Sequence, residues 1–300
     1  MTRAPRRLLV AVNPSASFGR NRAVGPAVTE RLVAEGYEVS ELREANFELL
    51  RRETQSAFEQ GTDGLIVVGG DGMVSLGLNL VAQTGVPLGI VAAGTGNDLA
   101  RGLGLPHDDP AAATEALVEA LRRPPQVIDA AIVQHGELRT WFACVLSAGF
   151  DAVVNERANR MTRPRGPSRY TIALLRELAT FKPLPYVLTI DGVRREQKAM
   201  LVSVANSPSL GGGMRIVPHA DLSDGLLDVF IVHPLSRIGL LAVFPRVFAG
   251  EHVDHPAVEF VQARRVRIEG ADVVAYADGE RVGPLPVEVE VVPGALSVFA

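Results

Sequence analysis

From Leu8 to Val91 the chain alternates short apolar runs with longer segments of helical character. Residues 8–12 read as a buried strand that stops at Asn13-Pro14. Further strands are expected over residues 37–42, 64–68 and 87–91, with helices over 22–35, 47–60 and 73–83. Strands with this spacing predict a parallel sheet covered on both faces. In such sheets ligands bind beyond the carboxyl ends of the strands. Here three Gly- or Asn-rich loops follow strands: residues 13–19, 69–72 and 94–97.

After about Asp129 the period changes. Strand-like runs at 130–134, 140–147, 186–190, 198–205, 226–232, 257–260, 264–269, 287–292 and 296–299 dominate. Turn pairs punctuate them: Asp191-Gly192, Asp224-Gly225, Asp278-Gly279 and Pro293-Gly294. This texture predicts a β-sandwich, interrupted by one helical segment over 169–180. The expected division is an α/β domain, residues 1–130, followed by a β-sandwich domain, residues 131–300.

With 47% hydrophobic and 21% charged residues, the chain has material for two ordinary cores. A net charge of −4 argues against nucleic acid as a partner. Cys144 is the single cysteine, so no internal disulfide forms, and a reducing compartment fits. It reads as a small buried residue. No secretory signal is visible, because the apolar run after the basic start ends at Asn13-Pro14. No uncharged apolar stretch is long enough to span a bilayer, and the nearest candidate, residues 238–250, is broken by Pro245 and Arg246. The expectation is a cytoplasmic protein that touches a membrane without crossing it.

The common nucleotide signatures are missing. The only lysines, Lys182 and Lys198, follow no Walker A loop, and Gly94-Thr95-Gly96 continues as Asn97-Asp98-Leu99 rather than as a dinucleotide fingerprint. Instead, Gly69-Gly70-Asp71-Gly72 stands between a strand and a helix. Glycines let backbone approach a phosphate, and a helix start offers free N–H groups. Asp71 would repel that phosphate unless a divalent cation lay between them. A plain αβ turn is the competing reading. Gly94 to Asp98 repeats the arrangement one strand later: Thr95 and Asn97 suit a phosphate, and Asn97 and Asp98 equally suit a helix cap. His252 and His255, beside Glu251 and Asp254, read as a solvated loop rather than a metal site.

Val12-Asn13-Pro14, Gly69 to Gly72, Gly94 to Asp98 and Asp278-Gly279-Glu280 occur in the order seen in the diacylglycerol kinase catalytic domain, which the chain resembles over almost its whole length. Ser147 to Asp151, Asn206-Ser207-Pro208 with Gly211 to Met214, and Asp221 to Gly225 extend the match. The resemblance implies an ATP-dependent lipid kinase acting on diacylglycerol or a relative, with ATP in a cleft between the nucleotide domain and the β-sandwich. It implies that Asn13, Gly69, Gly70, Asp71, Gly72, Gly94, Thr95, Gly96 and Asn97 hold the nucleotide. It casts Asp71, Asp98 and Asp129 as carboxylates that organise a catalytic magnesium ion largely through water, and Glu280 as the general base. Taken without the resemblance, Asp278-Gly279 is a type I′ hairpin flanked by an exposed Glu. Asp221 and Asp224, with the Leu226 carbonyl, resemble a second magnesium site, and a metal-free Asp-Gly turn stands against it.

The family commonly reads Gly-Gly-Asp-Gly-Thr, a residue, then Asn-Glu; here Met73, Ser75 and Leu76 stand in the places of the Thr, Asn and Glu. That difference supports a rival reading as a non-catalytic nucleotide- or lipid-binding protein. NAD kinase, with a similar Gly-Gly-Asp-Gly loop, is the enzymatic rival. Residues 154–182 carry seven basic residues against two acidic ones, which suits an anionic membrane surface at the inner face. A homodimer stays open.

Overall fold

The computed structural model describes residues 7–13, 23–149, 154 and 182–300. The helix expected over 169–180, most of the basic segment 154–182, the loop beyond Asn13, and Phe150 and Asp151 lie outside the described residues. The chain divides into two compact units, residues 1–130 with 293–300, and residues 131–292.

In the first unit β1 (Arg7–Val12), α1 (Val24–Ala34), β2 (Glu38–Leu42), α2 (Phe47–Glu59), β3 (Gly64–Gly69), α3 (Asp71–Val81) and β4 (Leu88–Ala92) alternate. Two helices absent from the sequence reading follow, α4 (Asp98–Gly102) and α5 (Pro110–Ala120). Asp109 caps α5 by accepting from the Ala111 N–H, with Pro110 at the first helical position. The strands run parallel in the order β2-β1-β3-β4. Both faces of β1, β3 and β4 are buried, which is why these strands read as uninterrupted apolar runs. Leu8, Val10 and Val12 pack with Val28 and Leu32 of α1 and Leu117 of α5. Leu65, Val67, Met73 and Leu78 are buried as well.

β5 (Gln126–His135) leads into the second unit, where β6 (Leu138–Phe142), β7 (Val145–Gly149), β8 (Leu184–Ile190), β9 (Val193–Ala199), β10 (Leu201–Ala205) and β11 (Leu227–Val232) follow. Then come α6 (Arg237–Ala249), β12 (Val258–Ala263), β13 (Arg265–Glu269), β14 (Val274–Ala277), β15 (Glu280–Pro284) and β16 (Val287–Phe299). One antiparallel sheet has the order β12-β11-β10-β7-β14-β15. The other contains β16, β13, β8 and β9 in sequence, with β5 against β16 and β6 against β5. Leu146, Val202, Val204, Val229 and Ile231 from the first sheet pack with Leu188, Val266, Ile268, Val287 and Val289 from the second. This is a β-sandwich, as the alternating pattern implied.

Several expectations are corrected. The run 140–147 is two strands, broken at Ala143-Cys144, and 198–205 likewise divides between β9 and β10. Pro245 lies inside a helix, α6, which runs over Arg237–Ala249. The last strand does not turn at Pro293-Gly294. Gly294, at φ 63°, donates its N–H to the buried Asp129 carboxylate at 2.8 Å, and β16 runs on. Its end pairs in parallel with β4, Val298 to Leu88 and Phe299 to Gly89. By compactness residues 293–300 group with the first unit. Among the described residues no helix is long and apolar enough to cross a membrane.

Candidate active site

The carboxyl edge of the parallel sheet is built from three strand ends. Asn13 follows β1, and its N–H bonds the Val68 carbonyl at 3.0 Å. Gly70, Asp71 and Gly72 follow β3, and Ala93 to Asn97 follow β4. The Ala93 N–H bonds the Gly69 carbonyl at 2.8 Å, so the second and third loops leave the sheet side by side.

Asp71 joins those two loops. One carboxylate oxygen accepts the Asn97 N–H at 3.0 Å and the other accepts the Asp98 N–H at 2.7 Å. These donors open α4, where no earlier helical carbonyl serves them. A charged acceptor makes such bonds strong. Asn97 is the N-cap by position, yet its side chain makes no capping bond. Its amide is engaged within the loop instead: Oδ1 accepts from the Gly94 N–H at 3.1 Å, and Nδ2 donates to the His107 carbonyl at 2.7 Å. The local-cap reading of Asn97-Asp98 thus gives way to a cap supplied from 26 residues upstream.

The glycines have stated reasons. A Cβ on Gly94 would overlap Gly70 Cα, and a Cβ on Gly96 would overlap the Asp71 carboxylate. The two loops touch backbone to backbone, and Gly96 makes room for the acid that ties them. Gly94 and Thr95 are exposed and Gly96 is half-buried, so backbone and one hydroxyl face solvent there. Met73 and Leu76, where the family has Thr and Glu, are buried core side chains. A Cβ on Gly69 would lie 2.6 Å from Met73 Cγ, which shows how closely that side chain packs beneath the loop.

Asp98 and Asp129 are buried, and Asp129 accepts from Gly294. Among the described residues no three acids, histidines or cysteines converge as a direct metal site. The Asp71 carboxylate meets the Asp98 main chain, and both acids carry hard oxygen donors. That set fits magnesium, which keeps several waters and takes one or two carboxylates with substrate phosphates.

In the second unit Glu280 is exposed at the first residue of β15, opposite Ala277 of β14. The turn between them, Asp278-Gly279, has φ of 48° and 82°, the positive pair a type I′ hairpin requires. The turn does more than reverse the chain. The Asp278 carboxylate accepts three successive main-chain N–H groups, from Ala143 at 2.8 Å, Cys144 at 3.0 Å and Val145 at 2.9 Å. Its own N–H bonds the Val145 carbonyl at 3.0 Å. Successive N–H groups of this kind form an anion-binding nest. Asn206 holds the same segment from its acceptor side, through the carbonyls of Ala143 and Cys144. The only sequence sign of this clamp was the Asp-Gly pair itself.

Asp221 Oδ1 accepts from the Ser223 N–H and hydroxyl, and Asp224 Oδ1 from the Leu226 N–H at 2.9 Å. These are local turn bonds within two residues of each acid. His252 is no solvated residue. It is fully buried, hydrogen-bonded through Nε2 to the Ile216 carbonyl at 2.8 Å, and set edge-on to Phe230. Burial holds its imidazole below the ordinary value, against the opposing effect of the Ile216 carbonyl.

Residues 7–130 match the Diacylglycerol kinase catalytic domain, and residues 144–300 the YegS C-terminal NAD kinase beta sandwich-like domain. A diacylglycerol kinase of Mycobacterium tuberculosis (strain CDC 1551 / Oshkosh) is 40% identical over 295 residues, 98% of this chain and 94% of that protein. The crystal structure of a diacylglycerol kinase from Bacillus anthracis str. Sterne is 23% identical with a TM-score of 0.74, covering 100% of this chain and 98% of that one. An NAD kinase from Archaeoglobus fulgidus in complex with ATP is 13% identical with a TM-score of 0.54, over 98% and 93%. At these identities the two structures speak to fold alone. Domain and relatives together define a phosphotransferase of the kinase class. The chain belongs to the diacylglycerol kinase catalytic-domain family of lipid kinases, and membership implies ATP as co-substrate.

Proposed function

We propose that the chain transfers the γ-phosphate of ATP to the hydroxyl of diacylglycerol, giving phosphatidic acid, at the inner face of the membrane. The observation that carries this reading is the lock between the two Gly-rich loops, in which Asp71 bonds the N–H groups of Asn97 and Asp98. Such a lock fixes exposed backbone at the ends of two parallel strands, where a polyphosphate is received. Asn13, Gly69, Gly70, Gly72, Gly94, Thr95 and Gly96 would hold the nucleotide, with Asn97 bracing the loop from within. Asp71, Asp98 and Asp129 would orient a hydrated magnesium ion, which when bound neutralises phosphate charge. Glu280 would take the proton of the acceptor hydroxyl, since a neutral alcohol is a weak nucleophile. Asp221, Asp224 and the Leu226 carbonyl would hold a second, structural magnesium ion.

Labelled ATP, magnesium and a panel of acceptors in mixed micelles test the reading, with diacylglycerol, sphingosine, ceramide and NAD among them. Labelled phosphatidic acid is expected. Glu280→Gln should keep nucleotide affinity and lose about 100-fold or more in turnover. A variant that turns over diacylglycerol at the parent rate removes Glu280 from the chemistry, and label appearing only on NAD overturns the lipid assignment.

A further inference from the structure

We propose that the outward face of α6 is the surface by which the chain lies on an anionic lipid bilayer. The proposal rests on the reading of the substrate as a membrane lipid, and names the element that meets it.

α6, RIGLLAVFPRVFA, is apolar on nearly all sides and contains no acidic residue. A helix of that composition is ordinarily enclosed. Among the described side chains one side is enclosed, where Leu240 and Val243 are buried. Ile238, Ala242, Pro245 and Ala249, at helical spacings of four, three and four, are all exposed. Ile238 is 81% exposed, more than any other large hydrophobic among the described residues, and Phe248 beside the stripe is 51% exposed. Fraying does not explain this. Ser236 caps the start through the Gly239 N–H at 3.1 Å, and Gly250, at φ 75°, closes the end.

Charge selects the occupant. Arg237 and Arg246 flank the stripe on opposite sides, about 110° and about 70° from its centre. Among the described residues neither guanidinium has an acidic partner. An apolar strip edged by arginines matches a helix lying in the interface plane, with the guanidinium groups reaching toward lipid phosphates. A second copy of the chain fits less well. Thirteen residues give a strip roughly 20 Å long and 10 Å wide, on the order of 200 Å², against about 800 Å² per partner in a stable protein interface. Two-fold pairing of the helix would also bring like charges together. At that length the helix cannot span a bilayer and must lie along it.

The test uses the full chain and co-sedimentation with two vesicle types, phosphatidylcholine alone and phosphatidylcholine with phosphatidylglycerol. Arg237→Gln with Arg246→Gln should weaken binding to the anionic vesicles by about 30-fold, since each basic residue near such a surface is worth about fivefold. The corresponding double Lys variant should bind as the parent does. Ile238→Ser with Phe248→Ser should lose about tenfold or more on both vesicle types. All variants should phosphorylate a water-soluble short-chain diacylglycerol at the parent rate. Parent-like vesicle binding by either weakened double overturns the proposal. So does an equal loss on the soluble acceptor, or a fall in sedimentation mass of the Ser double, which would make a second copy the occupant. If the parent phosphorylates no lipid while the variants still lose vesicle binding, the lipid-kinase reading falls and the docking face stands.

Discussion

Replacing Asp278 tests how the second unit is held together around Glu280. The carboxylate serves three donors on Ala143, Cys144 and Val145, all buried residues. A buried N–H left without an acceptor costs about 1–3 kcal/mol. Asp278 is itself half-buried, so water can reach part of the nest and the low end applies. Asp278→Ala should then cost about 3 kcal/mol, and Asp278→Asn, which keeps one carbonyl oxygen, about half of that. In a unit of this size the Ala variant should melt about 6–12 °C below the parent. Asp191 is the internal comparison. It occupies the same place in the β8–β9 hairpin, with φ 45°, and accepts the N–H groups of Arg264 and Arg265 at 3.0 and 2.8 Å. That site is exposed, and Asp191→Ala should cost about 1 kcal/mol. Calorimetry on the three variants decides the matter. An Asp278→Ala protein that melts with the parent, or no lower than Asp191→Ala, would refute the reasoning. If the hairpin positions Glu280, turnover should also fall in Asp278→Asn while nucleotide affinity is kept.

Two further outcomes are expected. Asp71→Ala removes the acceptor shared by Asn97 and Asp98; activity should vanish and added magnesium should not restore it, and near-parent rates would take this loop out of the site. The buried His252 should make stability depend on pH. Its folded value lies below its unfolded one, so the unfolded chain binds the extra proton, and the contribution is complete above about pH 6.5 and lost as pH falls through the folded value. His252→Gln should flatten the melting temperature between about pH 5 and 7, and an unchanged profile would assign the titration elsewhere.

Much of the fold was legible because its signals are local. Strands buried on both faces must be apolar throughout, so β1, β3 and β4 announce themselves, and their carboxyl ends put Asn13, Gly69 to Gly72 and Gly94 to Asp98 at one edge. The sandwich showed itself by its short strands and Asp-Gly turns. α5 carries no strong apolar period, and Asp109-Pro110 is its one readable start signal. α6 is masked in the sequence by Pro245, which locally argues against a helix that the fold nonetheless forms.

The kind of sheet, the order of the loops and the family are written in the chain's local patterns. Tertiary structure alone decided what the acids do. Asp71 caps a helix 26 residues away, Asp278 fills a nest more than 130 residues away, and Asp129 carries β16 past Pro293-Gly294 by bonding Gly294 at a separation of 165. His252 is a core residue because Ile216 and Phe230 surround it, not because of anything beside it in the chain. The reason is physical. Propensity and periodicity act between near neighbours and leave a pattern that can be read, whereas a carboxylate meeting a distant N–H depends on where two backbones arrive, and no local pattern records that.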